Sequence, residues 1–484
     1  MFNFRVISNL LGILLIITGG LMSICISFSW YYKSDDLFAI LLSSCITASV
    51  GFALWKTKGK NTDNQIRKRD GYVVVTMGWL FMSFFGMLPY LLSGTIPSVT
   101  DAFFETMSGF TTTGASILND IESIPKGILF WRSMTQWIGG MGIIVMTIAI
   151  LPILGIGGME LFQAEAPGPT SDKIHPRITE TAKRLWMIYV SLTGVLALLL
   201  LLGGMTFFDS INHALTTMAT GGFSTKQASI LHWDSPYIHY VITLFMIIAG
   251  TNYTLLYYGL KRKFEHFLKS EEFVTYLSVI AVLTVTITIG IFISSDNSFE
   301  RSFREAFFQV ASIITTTGFV TTDYSLWPSF LTIMVLLMMF IGGSAGSTSG
   351  GIKVIRHYVM AKNCFLEFKR LLHPRAVVPV KIAEKIVSPS IITNVLVFIL
   401  FYLLIFMASA ILLSSTGLTI DSAIGATATT LGNVGPGLGS VGPMHNFSEI
   451  TCMGKWFLSF LMLIGRLEIF TVLVLFTPYF WRNN

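Results

Sequence analysis

The feature that most constrains this chain is a succession of apolar stretches, most of them near the roughly 20 residues a helix needs to cross a bilayer. They read Leu10–Trp30, Leu37–Trp55, Tyr72–Leu92, Ile128–Ile156, Leu185–Phe207, Ile238–Leu260, Tyr276–Ile293, Phe330 onward, Ile391–Leu413 and Trp456–Phe480. A bilayer offers no water to backbone amides and carbonyls, so such stretches must be helical, or be enclosed by protein or line a cavity where they are not. Hydrophobic residues make up 53% of the 484 and charged residues only 12%, about half the charged share of soluble domains. The expected fold class is an all-α polytopic membrane protein. The net charge of +6 then carries no signal for nucleic acid; what matters is where the charges lie.

With the N-terminus inside, the inner loops Lys56–Asp70, Gly157–Arg184, Lys261–Glu272 and Lys353–Lys385 hold 6, 4, 4 and 8 Lys/Arg. With Arg5 and Arg482 they carry 24 of the 32 bases, while outer segments carry seven and Arg466 lies within a span. That asymmetry predicts cytoplasmic termini. The first apolar run lacks a small-residue cleavage site and a second span follows at once, so it reads as a retained helix. Neither the four cysteines (Cys25, Cys45, Cys364 and Cys452) nor the eight histidines show metal-ligand spacing.

After two N-terminal spans, one unit recurs four times: span, polar segment, span. The polar segments are "DAFFETMSGFTTTGAS" (Asp101–Ser116), "DSINHALTTMATGGFST" (Asp209–Thr225), "REAFFQVASIITTTGFVTT" (Arg304–Thr322) and "DSAIGATATTLGNVGPG" (Asp421–Gly437). They are stacked on Gly114, Gly221, Gly318 and Gly432, each preceded by a stretch with helical promise. The expected organisation is 1–70 as two helices and a basic loop, then repeats at 71–184, 185–270, 271–386 (with a broken second helix) and 387–484. Ordinary Thr/Gly-rich surface loops would not share a register with the hydropathy. Re-entrant loops would: a short helix enters the membrane and an extended arm climbs back out. Four such loops on a pseudo-fourfold axis would make a ring of carbonyl oxygens able to replace a monovalent cation's hydration shell. Glycine supplies the backbone angles and leaves the path clear.

Beyond the loops, the chain carries "WIGGMGIIVMTIAILPILGIGGMELFQAEAPGP" (Trp137–Pro169), "PRITETAKRLW" (Pro176–Trp186), "FIGGSAGSTSGGIKVIR" (Phe340–Arg356), "KRLLHPRAV" (Lys369–Val377) and "GRLEIFTVLVLFTPYFWR" (Gly465–Arg482). Together with the glycine loops these make nearly the whole chain resemble the Trk/Ktr/HKT superfamily of cation transporters, most closely its TrkH-type branch. The two additional N-terminal helices look like the Trk branch rather than the shorter Ktr type. The resemblance implies a potassium-channel-like fold packed as a homodimer in a bacterial inner membrane, K+ as the transported ion, and a cytoplasmic ring of TrkA-like nucleotide-binding regulatory subunits. It implies a filter at Thr112, Thr113, Gly114, Thr220, Gly221, Thr317, Gly318, Leu431, Gly432 and Asn433, largely through backbone carbonyls. Gly435 is the rival for the fourth glycine, because many relatives have Asn where Gly432 stands. Ser349 stands where related chains often have glycine. Gly114, where sodium-preferring members of the plant branch have Ser, favours potassium.

The run Gly342, Gly343, Ser344, Ala345, Gly346, Ser347, Thr348, Ser349, Gly350, Gly351 cannot hold a regular helix cheaply, since each glycine costs about 1 kcal/mol relative to alanine. Below a filter it would serve as a gate, and the family resemblance implies that role. Arg466 sits inside a span, where charge is costly and functional, and the resemblance implies that it holds this loop through carbonyls. Gly342–Gly346 fits G-x-S-x-G, but no strand precedes it, and Ile352 interrupts a phosphate-loop pattern before Lys353. The alternatives kept open are a sodium-conducting or Na+/H+-coupled transporter on the same fold and, remotely, an intramembrane hydrolase built on Ser344 or Ser347.

Overall fold

The computed structural model of the chain describes residues 3–57, 68–142, 178–382 and 385–482. The basic loop read at Lys56–Asp70, the Gly157–Arg184 loop and most of the Trp137–Pro169 motif therefore lie largely or wholly outside the described residues. Among the described residues, six helices are long and apolar enough to cross a membrane, and two bent pairs raise the number to eight. The chain is a multi-pass, mainly helical membrane protein.

Helices α1 (Phe4–Tyr31) and α2 (Leu37–Trp55) form a tight hairpin. Helices in lipid gain little from burying apolar surface and associate instead through close packing and hydrogen bonds. Both are present: a Cβ on Gly12 would lie 2.6 Å from the Gly51 carbonyl oxygen, and Asn9 Nδ2 donates to the Trp55 carbonyl at 2.7 Å. Asp36, at the hairpin's turn, accepts Ser29 Oγ (2.5 Å) and the Ile128 amide (2.7 Å). A buried carboxylate thus caps the start of the next run's closing helix, where the helix dipole favours it.

The rest of the chain runs through four helix–short helix–helix passages. The first comprises α3 (Lys68–Gly86), α4 (Leu88–Leu92), short helix α5 (Val99–Phe110) and α6 (Lys126–Trp137), which passes into a π-helical turn at Ile138–Gly142. The second comprises α7 (Ile178–Leu202), short helix α8 (Phe207–Met218), α9 (Pro236–Ala249) and α10 (Tyr253–Leu260), followed by α11 (Glu265–Lys269). The third has α12 (Glu271–Ser294), short helix α13 (Phe299–Ile314), α14 (Ser329–Met338) and α15 (Val354–Leu372). A two-stranded hairpin, β1 (Lys381–Ile382) and β2 (Lys385–Ile386), pairs Lys381 with Ile386. The fourth has α16 (Pro389–Ser414), short helix α17 (Ile420–Gly432), α18 (Cys452–Arg466), α19 (Phe470–Leu473) and α20 (Pro478–Trp481).

The closing helices differ from the sequence expectation. Ile238–Leu260 is no continuous span: α9 and α10 meet at 106°. Gly250 ends the first piece, and Asn252 starts the second by accepting the Thr254 amide at 2.7 Å, an N-cap inside an apolar run. Trp456–Phe480 likewise breaks after Arg466, turning by 111°, with Glu468 at φ 55°. The span expected over Ile128–Ile156 enters the π turn at Ile138, and 143–156 lies outside the described residues. The run expected from Phe330 onward stops at Met338.

Candidate functional site

Each short helix starts on a hydroxyl and ends on one motif. Ser98, Thr206, Ser298 and Thr419 accept the backbone amides of Asp101, Asp209, Arg301 and Ser422, which satisfies otherwise orphaned donors. At the far ends, Thr112, Thr220, Thr316 and Asn433 adopt left-handed φ of 52°, 51°, 56° and 54°. The next residue's amide reaches back five positions each time: Thr113 to Ser108, Gly221 to Thr216, Thr317 to Ser312, Val434 to Thr429. These are Schellman caps, with threonine or asparagine where glycine is usual.

Two residues past each left-handed residue φ is positive again: 82° at Gly114, 75° at Gly222, 82° at Gly318 and 106° at Gly435. Alternation of this kind turns like backbone groups toward one side. It also sets the register. Gly222 and Gly435, not Gly221 and Gly432, stand where Gly114 and Gly318 stand. Leu431 and Gly432 are the last two residues of α17, still helical, so the fourth loop begins at Asn433. The Thr-Gly dipeptide does not mark this register, because Thr220 is followed by two glycines and the fourth loop has none directly after a threonine. Counting from the hydroxyl cap finds the register: Ser98 to Thr112, Thr206 to Thr220 and Thr419 to Asn433 are the same distance, and α13 is one turn longer. Thr316 and Gly222 are the residues missed, and Gly435, the rival for the fourth glycine, takes the position first given to Gly432.

The four loops touch in a closed cycle. A Cβ built on Gly114 would lie 2.2 Å from the Gly221 carbonyl oxygen, on Gly222 2.0 Å from that of Thr317, on Gly318 2.1 Å from that of Val434, and on Gly435 2.9 Å from that of Thr113. At the first three, no side chain fits without displacing a neighbouring loop. Behind them, one position on three of the short helices carries a polar brace. Glu105 accepts Ser116 Oγ and the Ile117 amide, each at 3.0 Å. His213 Nε2 pairs with Ser224 Oγ at 2.9 Å, and Gln309 Nε2 reaches Thr321 Oγ1 at 3.4 Å. Ala426 holds the fourth equivalent position, where Gly425 brings helix and arm together instead: its Cβ would be 2.4 Å from the Leu438 amide. Arg132 joins loops one and two, pairing with Glu105 at 2.7 Å, donating to the Ser224 carbonyl at 2.9 Å and lying 3.6 Å from the Phe223 ring centre. Asn433 Nδ2 joins loops four and one through Thr113 Oγ1 at 2.9 Å.

The Gly342–Gly351 segment lies against the C-terminal ends of three short helices. Thr348 Oγ1 donates to the Met218 carbonyl (3.1 Å) and accepts Thr220 Oγ1 (3.3 Å). The Gly350 amide donates to Thr316 Oγ1 (2.7 Å), and a Cβ on Gly350 would be 2.9 Å from the Gly432 carbonyl. The amide of Ser344 also caps the broken end of α9, donating to the Gly250 carbonyl at 2.9 Å. Arg466 closes the set. Nη1 donates to the Thr348 carbonyl, and Nη2 to the Gly139 and Gly140 carbonyls of the π turn, all at 2.8 Å. Gly139 in turn sits on the Phe110 carbonyl at the end of α5. Glu468 pairs with Arg356 of α15. Glu272 accepts the Ala345 amide at 2.6 Å, and Lys353 Nζ donates to the Ser349 carbonyl at 2.6 Å. Ser347 Oγ bonds the Ser344 carbonyl and Ser349 Oγ; among the described residues neither Ser344 nor Ser347 has a histidine partner.

Comparisons with known proteins point to one family. The model of the TrkH family, described as cation transport protein, matches residues 36–482. The Trk system potassium uptake protein TrkH of Escherichia coli (strain K12) is 43% identical over 485 residues, covering 99% of this chain and 100% of that one. The Trk system potassium uptake protein TrkG of the same organism is 32% identical, covering 99% of each. The crystal structure of the potassium transporter TrkH from Vibrio parahaemolyticus aligns with a TM-score of 0.89 at 38% identity, over 99% of this chain and 100% of that one. These relatives are transporters, and the hydrolase alternative falls with that finding.

Proposed function

The chain belongs to the TrkH family of cation transport proteins, and from that premise we propose that it is the pore-forming transmembrane subunit of a potassium uptake system. The observation that carries the reading is the closed cycle of four loops, each with a positive-φ glycine pressed against the next loop's carbonyl. In this reading the four arms line a pseudo-fourfold pore, and their carbonyls replace part of the water around K+. The ends of the four short helices carry partial negative charge, which favours a cation beneath the loops. Glycine at all four positions speaks for potassium over the sodium alternative.

The Gly342–Gly351 segment is the gate, held shut by Arg466. Its hydrogen bonds to Thr316, Met218 and Thr220, at the ends of the second and third short helices, support that reading. The basic loops, above all Lys353–Lys385, dock a cytoplasmic TrkA-like nucleotide-binding subunit; they also suit anionic lipid headgroups. The protein works as a homodimer in the inner membrane with both termini cytoplasmic, as the charge asymmetry supports.

The test is radioactive rubidium uptake into liposomes holding the purified protein, with excess K+ or Na+ as competitor. Strong competition by K+ and little by Na+ is expected. Equal competition would remove potassium selectivity while leaving a cation pore.

A further inference from the structure

Gln136, the penultimate residue of α6, reaches out of the first passage into the second loop. Its side-chain nitrogen donates to the Gly221 carbonyl at 2.6 Å, and its side-chain oxygen accepts the Phe223 amide at 3.0 Å. One planar amide, fully buried, thus brackets Gly222 on both sides. The fit is close, since a Cβ on Gly221 would lie 2.4 Å from the Gln136 amide carbon.

The carbonyls of Thr113, Gly221, Thr317 and Val434 are equivalent in the cycle, each facing the positive-φ glycine of a neighbouring loop. Of these four, among the described residues, Gly221 is the one whose carbonyl receives a side-chain hydrogen bond. Discrimination between K+ and Na+ depends on the number and field strength of the coordinating carbonyls and on how far they can close. A carbonyl that already accepts a hydrogen bond offers the ion a weaker field. A loop clamped on both sides of its glycine resists closing around a smaller ion. Both effects disfavour Na+.

We propose that Gln136 is a specificity-determining residue: it holds the second loop open and makes the four equivalent carbonyls unequal, so that preference for K+ over Na+ depends on it. This rests on reading the chain as a potassium pore. The test uses the full chain in liposomes and the ratio of Na+ to K+ concentrations that halve rubidium uptake. Gln136→Met keeps the shape and removes both hydrogen bonds; Gln136→Glu keeps the acceptor for Phe223 and removes the donor to Gly221. Both should lower the ratio by roughly three- to tenfold, the worth of about one hydrogen bond. Trp137→Phe, whose indole nitrogen bonds Thr193 and not the loop, should leave it unchanged. Wild-type ratios in both variants, or loss of uptake in both with wild-type elution on size exclusion, would overturn the proposal. A wild-type protein that does not favour K+ removes the parent reading and this one together; a selective wild type with equally selective variants removes this one alone.

Discussion

A threonine at positive φ is strained, because its branched Cβ crowds the backbone, and strain of this kind costs about 1–3 kcal/mol per residue. This chain places three, Thr112, Thr220 and Thr316, at the same point of three helix ends, with Asn433 at the fourth. Such strain persists only where the surroundings impose it, here the Schellman bonds behind and the neighbouring loop ahead. The glycine two residues on is under a harder limit, since at Gly222 a Cβ would meet the Thr317 carbonyl oxygen at 2.0 Å. Gly222→Ser should therefore lower the Na+/K+ competition ratio for rubidium uptake by about ten- to a hundredfold. An unchanged ratio would show that the second loop does not line the ion's path. Thr112, Thr113, Gly114, Thr317 and Gly318 could be picked from the chain because Thr-Thr-Thr-Gly occurs twice. Gly222 could not, and Gly435 stood only as the rival of Gly432, because their equivalence lies in backbone angles that Gly-Gly-Phe and Asn-Val-Gly-Pro do not spell out.

At the scale of elements, the closing helices break at comparable points: a π turn at Ile138–Gly142, bends of 106° after Ala249 and 111° after Arg466, and the open segment after Met338. A broken helix in lipid leaves carbonyls that must find donors. Here they find the Ser344 amide, the Thr348 hydroxyl and the Arg466 guanidinium. The breaks and the glycine segment are thus one hydrogen-bonded layer under the four loops. Hydrogen bonds to a charged group contribute about 1.5–3 kcal/mol each, so Arg466→Ala should loosen the layer. The expected result is an initial rate of rubidium uptake, without any regulator, roughly tenfold above wild type. An unchanged rate would make Arg466 a brace rather than part of a gate. Only the third break was legible in the sequence, because five glycines within ten residues cannot be a helix. Gly250 and Gly465 are single glycines, which a helix tolerates; the Ser344 amide that takes the Gly250 carbonyl, and the Leu431 carbonyl oxygen 2.2 Å from a Cβ on Gly465, come from distant parts of the chain.

At the scale of the whole molecule, the charge asymmetry predicts which side each loop faces, and two cysteines report on it. Cys364 on α15 and Cys452 at the start of α18 are both exposed. With Cys25 and Cys45 replaced by alanine, a membrane-impermeant maleimide added to intact cells or spheroplasts should label Cys452, and Cys364 only after permeabilisation. The reverse pattern would invert the topology.

What the sequence determined by itself is the membrane class, the fourfold recurrence and the two Thr-Thr-Thr-Gly loops. Each follows from a one-dimensional signal: run length against bilayer thickness, the period of the repeat, and a tetrapeptide that occurs twice. What only the tertiary structure decided is the register of loops two and four, the bends in the second and fourth closing helices, and the meeting of Arg466, Gln136 and Asn433 with backbone from other passages. Those depend on which carbonyls are left without partners and which donors lie across the interface. That is a property of packed neighbours distant in sequence, and no local pattern encodes it.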